Sequence, residues 1–490
     1  MKMKDVTLVD VRPALNLVAV IVRWLSLAYV FPLGVALYHR EDFLPYAVPM
    51  LLAAFLGWSV ERFTRSDREL GVREAFLVVP LAWLVIAAFG ALPYILASKL
   101  SFIDAYFEAM SGFTTTGSSI LTSISTNPQA LLFWRQFTQW LGGMGIIVLA
   151  VAVLPKLAVG GLQLMETEAA GPNVEKLTPR IKHTAQALWK VYLLLTLAQT
   201  LALWAAGMSP LIALEHTFTT LASGGFSPFD RGIEETTPLV QWVIIPFMLL
   251  GATSFVLMYR GFTGNFKLFL QDQEFRGHLL IYLSATALMV FLLVPLFPDV
   301  WDTLRHGAFQ VASIMTTTGF ASTDFNLWGD GAKMLLLMLM FVGGMAGSTS
   351  GSIKIVRVIL IFKFIARELR LVIHSKAVIP IRLGRRVVSQ DALSGIMSFS
   401  ILYVTTFAAG AILLLLDAHR VGLPLSVLEA ATAAATTLAN TGPAFGFAGP
   451  MGSFALFPDT SKVLMVFLMW AGRLELFPVL VLLMREYWKR

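Results

Sequence analysis

The chain has 490 residues, of which 57% are hydrophobic and only 14% are charged, and it contains no cysteine. Soluble proteins carry about 25% charged residues, so this composition excludes a soluble globular protein and indicates a polytopic membrane protein. The lack of cysteine excludes a disulfide scaffold, a thiol nucleophile and a zinc–thiolate site. The net charge of +7 is attributed to topology signals in the loops, and no nucleic-acid partner is expected.

Two apolar runs, at about residues 15–37 and 46–60, open the chain and predict two transmembrane helices. The first follows basic residues, as a signal peptide would, but it is too long for a typical signal and no clear cleavage site follows it. Further on, long apolar spans alternate with shorter segments rich in glycine and hydroxyl groups, which cannot cross a bilayer. The long spans cover about residues 74–98, 131–154, 186–207, 238–259, 278–297, 332–363, 393–417 and 461–484. The short segments cover about residues 102–118, 211–227, 302–320 and 425–443.

This alternation predicts an all-α polytopic membrane protein with two N-terminal helices and four pseudo-symmetric helix–pore loop–helix repeats around one ion pore. Lys and Arg are concentrated in the segments that join the repeats, so the positive-inside rule places both termini in the cytoplasm and lets every short segment enter from outside. The predicted boundaries are residues 1–70 for the N-terminal helices and 71–160, 161–265, 266–375 and 376–490 for the four repeats.

The four short segments share one pattern when they are aligned on a glycine. The residues two positions before this glycine are all polar, and those six positions before it all carry a hydroxyl group. One such segment could be an ordinary turn or a packing surface, but four at the same place in a repeating unit indicate an internal repeat. The aligned triplets are Thr115, Thr116 and Gly117; Ser223, Gly224 and Gly225; Thr317, Thr318 and Gly319; and Asn440, Thr441 and Gly442. We call the last residue of each triplet its column glycine.

These triplets predict a selectivity filter for a dehydrated monovalent cation. Non-helical backbone at membrane depth is tolerated only when it is buried in protein or lines a water-filled path, so four such segments are expected to converge on one axis. Their carbonyl oxygens would replace the hydration shell of the ion, and glycine permits the backbone angles that this requires. A short helix before each triplet would direct its negative end at the axis. We expect these helices to begin near Asp104, Glu215, Asp302 and Glu429.

A glycine-rich stretch, residues 343–352, lies in the second long span of the third repeat. Each glycine inside a helix costs about 1 kcal/mol relative to alanine, and four glycines fall within nine residues here. A tight helix-packing face would be one explanation. We predict instead a helix break that forms a flexible loop across the pore below the filter. The predicted gate residues in it are Gly347, Ser348, Thr349, Ser350 and Gly351.

Arg473 is expected near the middle of the last long span, about eleven residues after Lys462 and twelve before Arg485. A central arginine costs about 2.5–3.5 kcal/mol on insertion scales, so it needs a compensating environment. Glu475 is the nearest acid, but residues two apart do not share a helix face. One interpretation is a buried ion pair that braces the helices. The other, which we favour, places the guanidinium against the ion path as part of the gate.

The motifs SGFTTTG, SGGFS, MTTTGF and ANTGP, with GGMAGSTSGSIK and GRLE, closely resemble the Trk/Ktr/HKT superfamily of potassium transporters, and the two extra N-terminal helices resemble its TrkH branch. The resemblance implies that the chain conducts K⁺ as transported ion, with no organic cofactor of its own. It also implies a homodimer in the bacterial inner membrane, gated by the glycine-rich loop and Arg473 and controlled by a cytosolic TrkA-like subunit that binds nucleotide. Gly117 favours potassium, because a serine there accompanies sodium transport in the plant branch.

Three other interpretations stay open at this level. The chain could be a symporter that couples K⁺ to H⁺ or Na⁺, but this needs titratable groups at the membrane midplane, and only Arg473 and Glu475 obviously qualify. A filter of four unequal segments could also make it a weakly selective K⁺/Na⁺ transporter. A membrane enzyme should show convergent acids and histidines, and the sequence shows no such cluster, so we expect a protein that is not an enzyme.

Overall fold

A computed structural model describes residues 11–65, 72–152, 177–384 and 386–489. Within these ranges the chain is predominantly helical, as predicted. The domain boundaries predicted near residues 70 and 160, and the N-terminus itself, lie outside the described residues. The helices are α1 (Arg12–Ala28), α2 (Val30–His39), α3 (Leu44–Thr64), α4 (Val72–Ser98), α5 (Phe102–Phe113), α6 (Gln129–Ala152), α7 (Leu177–Ala205), α8 (Pro210–Leu221), α9 (Pro238–Gly251), α10 (Phe255–Thr263), α11 (Lys267–Gln271), α12 (Gln273–Leu293), α13 (Val300–Met315), α14 (Asp330–Leu339), α15 (Ile355–Ile373), α16 (Gln390–Val421), α17 (Val427–Ala439), α18 (Asp459–Arg473), α19 (Phe477–Leu482) and α20 (Arg485–Trp488).

Six helical segments in the described part of the chain are long and apolar enough to cross a membrane, and a seventh is counted if the bent pair α9–α10 is one span. Each of the six coincides with one of the ten predicted spans. Another predicted span, residues 131–154, overlaps α6. The prediction of an all-α polytopic membrane protein is therefore confirmed.

The four short segments each form a short helix followed by an extended turn, as predicted. These pore helices are α5, α8, α13 and α17, and side chains at their N-caps fix where three of them begin. The hydroxyl of Ser101 and the carboxylate of Asp299 accept from backbone amides, and Ser426 forms a capping box with Glu429. The predicted start at Glu215 is wrong, because α8 begins at Pro210 and Glu215 lies within it.

Three predicted spans are broken in the structure. Residues 238–259 divide into α9 and α10, which meet at an angle of 101°. The break predicted in residues 343–352 is confirmed, since α14 ends at Leu339 and α15 begins at Ile355. The placement of Arg473 in mid-helix is wrong, because α18 ends at this residue and Glu475 and Leu476, shortly after it, have positive φ angles.

The N-terminal helices pack against the first repeat. The ring of Tyr29, at the junction of α1 and α2, stacks on that of Trp134 in α6 with 4.4 Å between ring centroids. Its hydroxyl donates to the backbone oxygen of Phe89 in α4. Between the third and fourth repeats, the basic connection contains one antiparallel ribbon, β1 (Arg382–Leu383) and β2 (Arg386–Val387). These elements leave the four pore helices at the centre of the molecule.

Candidate functional site

All four pore helices end with the same backbone motif. The residue two positions before each column glycine has a left-handed conformation, with φ of 51–57° at Thr115, Ser223, Thr317 and Asn440. The next amide then bonds back to the carbonyl five residues earlier, at 2.8–2.9 Å in every repeat. This is the six-to-one bond of a Schellman motif. The polar position of the sequence alignment is thus the left-handed residue of the motif, and the hydroxyl-bearing position supplies the carbonyl that accepts the bond.

The column glycines form a closed ring. Gly117 packs against the backbone of Gly224, Gly225 against Thr318, and Gly319 against Thr441. The ring closes where a Cβ atom built on Gly442 would lie 2.9 Å from the carbonyl oxygen of Thr116. At all four contacts a Cβ atom would come closer than 3.0 Å to a backbone oxygen, a distance that Cβ atoms essentially never show. All four glycines also have φ between 77° and 109°, so both conformation and space require glycine.

The predicted filter residues therefore lie together around one axis. The non-glycine members of the triplets are fully buried, whereas Gly117, Gly225 and Gly319 keep partial contact with solvent. The C-terminal ends of the four pore helices, which carry the negative ends of the helix dipoles, lie next to this ring. Carbonyl oxygens and helix dipoles of this kind suit a monovalent cation. The described residues contain no group of three or more His, Asp or Glu side chains that could hold a metal ion.

Side chains from outside the triplets hold the ring in place. Gln139 of α6 donates from Nε2 to the oxygen of Gly224 at 2.7 Å and accepts at Oε1 from the amide of Phe226 at 3.1 Å. The Ser118 hydroxyl donates to the oxygen of Gly442 at 2.8 Å, which joins the first repeat to the fourth. The ring is thus a packed and hydrogen-bonded unit.

The glycine-rich loop, residues 340–354 between α14 and α15, lies directly against the helix ends below the ring. The Thr349 hydroxyl contacts the backbone oxygens of Leu221 and Gly251 at 2.8 and 2.9 Å and the hydroxyl of Ser223 at 3.0 Å. The Gly351 amide donates to the Thr317 hydroxyl at 2.7 Å. Gly351 also packs against the backbone of Ala439, where a Cβ atom would not fit. The loop therefore contacts three of the four repeats.

The remaining predicted gate residues are part of the same loop. The Ser348 hydroxyl donates to the oxygen of Met345 at 2.6 Å and lies 2.9 Å from that of Ser350. Gly347 has a φ of 76° and accepts at its oxygen from the amide of Phe255 at 3.1 Å. The break between α9 and α10 thus supplies backbone groups that satisfy the loop.

Arg473 is buried, with 3% of its surface exposed. Its Nη1 donates to the oxygen of Thr349 at 2.7 Å, and its Nε and Nη2 have no hydrogen-bond partner within the described residues. Glu475 instead pairs with Arg357 of α15, whose Nη2 lies 2.5 Å from Oε2. The alternative of a buried Arg473–Glu475 pair is therefore not the one that the structure adopts. The nearby Lys354 donates to the backbone oxygen of Ser350.

Sequence reasoning missed several buried charges in the membrane-spanning part. Glu108 of α5 and Arg135 of α6 form an ion pair with 2.6 Å between Oε1 and Nε. Lys462 of α18 pairs with Asp104 at 2.6 Å. Buried charges of the described residues thus include more than Arg473 and Glu475, the two that the sequence analysis singles out. A signal existed, because Arg135 stands inside a predicted apolar span, where a charge indicates a special role.

A carboxylate outside the spans also fixes a loop. Asp230 accepts from the amides of Ile124 and Ser125 at 2.5 and 3.2 Å, and from the hydroxyl of Ser125. Since these donors favour the ionised carboxylate, they hold the pKa of Asp230 below its usual value, with the Ser125 hydroxyl as the main cause. The connection after the first pore loop is thereby attached to that after the second.

Comparison with known proteins places this geometry in context. The family model described as "TrkH: Cation transport protein" matches residues 47–489. The Trk system potassium uptake protein TrkH of Vibrio parahaemolyticus is 36% identical over 491 residues, which cover 98% of this chain and 99% of that protein. The protein of the same name from Escherichia coli K12 is also 36% identical, with the same coverage. The crystal structure of the potassium transporter TrkH from Vibrio parahaemolyticus matches with a TM-score of 0.89 at 34% identity, covering 97% of this chain and 99% of that one.

Proposed function

Because the chain belongs to the TrkH family of cation transport proteins, we propose that it is the potassium-conducting subunit of a Trk-type uptake system. The family consists of transporters and not of enzymes. The single observation that carries the proposal for this chain is the closed ring of four column glycines. Such a ring presents backbone oxygens from four sides to an ion on its axis. The chain is divided into two N-terminal helices and four repeats at the boundaries predicted above.

The selectivity filter in this proposal consists of the twelve triplet residues, from Thr115 to Gly117 and their counterparts in the other repeats. K⁺ sheds its hydration water and is coordinated by carbonyl oxygens, while the helix dipoles favour a positive charge. The four triplets differ in sequence, so the ring discriminates K⁺ from Na⁺ less sharply than four identical segments would. The glycine at position 117 favours K⁺ over Na⁺.

The gate consists of the glycine-rich loop and Arg473. The hydrogen bonds from Thr349 to the second repeat and from Gly351 to Thr317 of the third repeat support a closed position below the filter. Glu475 is occupied by Arg357, so no carboxylate pairs with the Arg473 guanidinium within the described residues. Its positive charge raises the electrostatic barrier for a cation until the loop and the guanidinium move aside.

The proposal extends to the setting of this pore. The transporter lies in the bacterial inner membrane as a homodimer with both termini in the cytoplasm, and a cytosolic TrkA-like subunit that binds nucleotide controls the gate. The related proteins are named as parts of a Trk system for potassium uptake, which supports a multi-subunit assembly. The basic connection between the third and fourth repeats carries positive charge for contact with anionic lipid or with that subunit.

The decisive experiment measures ion flux through purified protein in liposomes, with K⁺, Rb⁺, Cs⁺ and Na⁺ compared in turn. We expect K⁺ and Rb⁺ to permeate well and Na⁺ less well. Deletion of residues 347–351 should raise the basal flux of K⁺. Equal flux of all four ions, or no flux of any, would refute the filter assignment, and an unchanged flux after the deletion would refute the gate.

One observation keeps coupled symport as a second candidate. Glu215 is fully buried in α8 and accepts from Gln129 at 2.9 Å, yet its Oε2 has no hydrogen-bond partner in the described residues. A carboxyl group in this position could carry a proton through the membrane. A reversal potential that follows the proton gradient in the wild type, and loses this dependence in Glu215→Gln, would establish coupling. A reversal potential set by K⁺ alone would establish a passive pore.

A further inference from the structure

A buried ion pair lies behind the ring of column glycines. Glu108 of the first pore helix is 0% exposed, and Arg135 of α6 is 2% exposed. Burial of two charges is costly, and replacing such a pair by apolar residues is often neutral or even stabilising. Stability alone therefore does not explain why these charges are buried. The polar atoms of the two side chains that lie outside the ion pair make further contacts.

Those contacts lead to two neighbouring pore loops just beyond their column glycines. Glu108 accepts from the Ile120 amide at 2.8 Å and from the Ser119 hydroxyl at 3.0 Å. Arg135 donates from Nη1 to the oxygen of Ser227 at 2.9 Å, and its guanidinium lies 3.6 Å from the ring centroid of Phe226. Hydrogen bonds that involve charged groups are about twice as strong as neutral ones. The pair therefore links the outer end of the first loop to that of the second.

Comparison of the four repeats shows that this link is not shared by all of them. The position nine residues before the column glycine holds Glu108, His216, Gln310 and Ala433. His216 lies 3.2 Å from the Ser227 hydroxyl, and Gln310 donates to the oxygen of Phe320 at 3.2 Å. Each of these two side chains contacts only its own loop through those bonds, and Ala433 has no polar side-chain atom. Only the first repeat uses a charged side chain that is also paired to a residue in contact with the next loop.

We propose that Glu108 and Arg135 are positioning residues that fix the outer ends of the first two pore loops and thereby set the discrimination between K⁺ and Na⁺. This inference rests on the proposed function, because it assumes that the ring is the filter. The two charges have separate duties. The guanidinium of Arg135 binds Glu108 through Nε and the Ser227 carbonyl through Nη1, and its planar shape keeps these two partners at a fixed separation. The carboxylate of Glu108 neutralises the positive charge of Arg135, which would otherwise repel the permeating cation.

Three variants separate these duties in proteoliposomes, with Rb⁺ influx and the K⁺/Na⁺ permeability ratio as the two readouts. Arg135→Lys keeps the positive charge, but a single ammonium group cannot bind both partners in the geometry of the planar guanidinium. We therefore expect the K⁺/Na⁺ permeability ratio to fall about tenfold while Rb⁺ influx persists. Glu108→Gln leaves the guanidinium charge unpaired, so we expect Rb⁺ influx to fall about tenfold. In the double variant Glu108→Gln/Arg135→Gln we expect influx to recover but the ratio to stay low.

The control is Arg231→Lys, which alters an exposed ion pair with Glu234 on an outer loop and should change neither readout. The double variant leaves no charge at either of these two positions, so it keeps the test open if a single variant fails to fold. A wild-type ratio in both Arg135→Lys and the double variant would overturn this inference alone. A wild-type protein that fails to select K⁺ over Na⁺ would instead refute the proposed function.

Discussion

Replacement of Gly117 by serine tests the ring most directly. The φ angle of Gly117 is 87°, and its Cβ position is occupied by the backbone oxygen of Gly224. A side chain at this position therefore meets two penalties, an unfavourable backbone conformation and a contact with the neighbouring repeat. The second penalty can be relieved only if the first and second pore loops move apart.

The size of the effect follows from the backbone conformation. A left-handed conformation costs a residue with a Cβ atom about 1–2 kcal/mol, and this is a lower limit because the contact with Gly224 adds to it. If the ring relaxes and loses the same free energy of discrimination, the K⁺/Na⁺ permeability ratio falls about 5-fold to 30-fold. The ratio is read from reversal potentials of proteoliposomes with K⁺ on one side and Na⁺ on the other.

Gly422 provides the matched control for this substitution. It caps α16 with a φ of 72°, but nothing lies within 4 Å of its Cβ position. Gly422→Ser thus introduces the same backbone strain without the contact to another repeat. We expect it to lower stability by about 1–2 kcal/mol and to leave the permeability ratio unchanged. An unchanged ratio in Gly117→Ser, or an equal decrease in both variants, would refute the reasoning.

Three further predictions test the gate, the buried charges and the outer loops. Thr349→Val removes a hydroxyl donor worth about 1 kcal/mol, so basal Rb⁺ efflux without the regulatory subunit should rise about fivefold. The control Thr349→Ser keeps the hydroxyl and should retain the wild-type rate. Equal efflux from the wild type and both variants would contradict the assignment of the loop as a gate. Glu475→Gln leaves the Arg357 guanidinium buried without a carboxylate partner, so we expect the free energy of unfolding to fall by about 3 kcal/mol. Thermal unfolding in detergent measures this change. A wild-type melting temperature would show that the pair does not stabilise the fold. The pKa of Asp230 is lowered in the folded protein. The carboxylate therefore stabilises the fold at pH values above its unfolded pKa of about 3.9, and this stabilisation is lost as the pH falls through the folded pKa. Hydrogen exchange at Ile124 and Ser125 should accordingly accelerate in that acidic range, and Asp230→Asn should show the acceleration already at pH 6; protection that is independent of both changes would argue against this attachment.

Local chemistry made the repeated elements predictable. A pore helix followed by a polar residue and a glycine is a pattern of neighbours in sequence, and the Schellman motif that it forms needs only bonds within six residues. The break at residues 343–352 was predictable for the same reason, because several glycines in one helix weaken it locally. The alignment of Thr115 with Ser223, Thr317 and Asn440 therefore indicated backbone geometry that the structure shows.

The errors concern residues whose partners are distant in sequence. Arg473 was placed in mid-helix because the apolar run continues after it, although Pro478, which stands in the first turn of α19, marks where a new helix starts. The bend between α9 and α10 has a weaker local signal, Gly251 followed by Thr253 and Ser254. The backbone groups freed at the bend bond to the glycine-rich loop of the next repeat, and residues 238–259 alone do not indicate that partner.

The sequence by itself determined that the chain spans a membrane, repeats one unit four times and ends each pore helix with the same turn, because hydrophobicity and backbone preference are properties of neighbouring residues. Only the tertiary structure decided that each repeat contacts the next one in order, with the fourth repeat contacting the first, so that the four repeats form a closed ring. It also decided that Arg135 pairs with Glu108 and that Glu475 pairs with Arg357. These contacts join residues up to hundreds of positions apart, and their energies depend on packing and burial, which exist only once the helices have assembled.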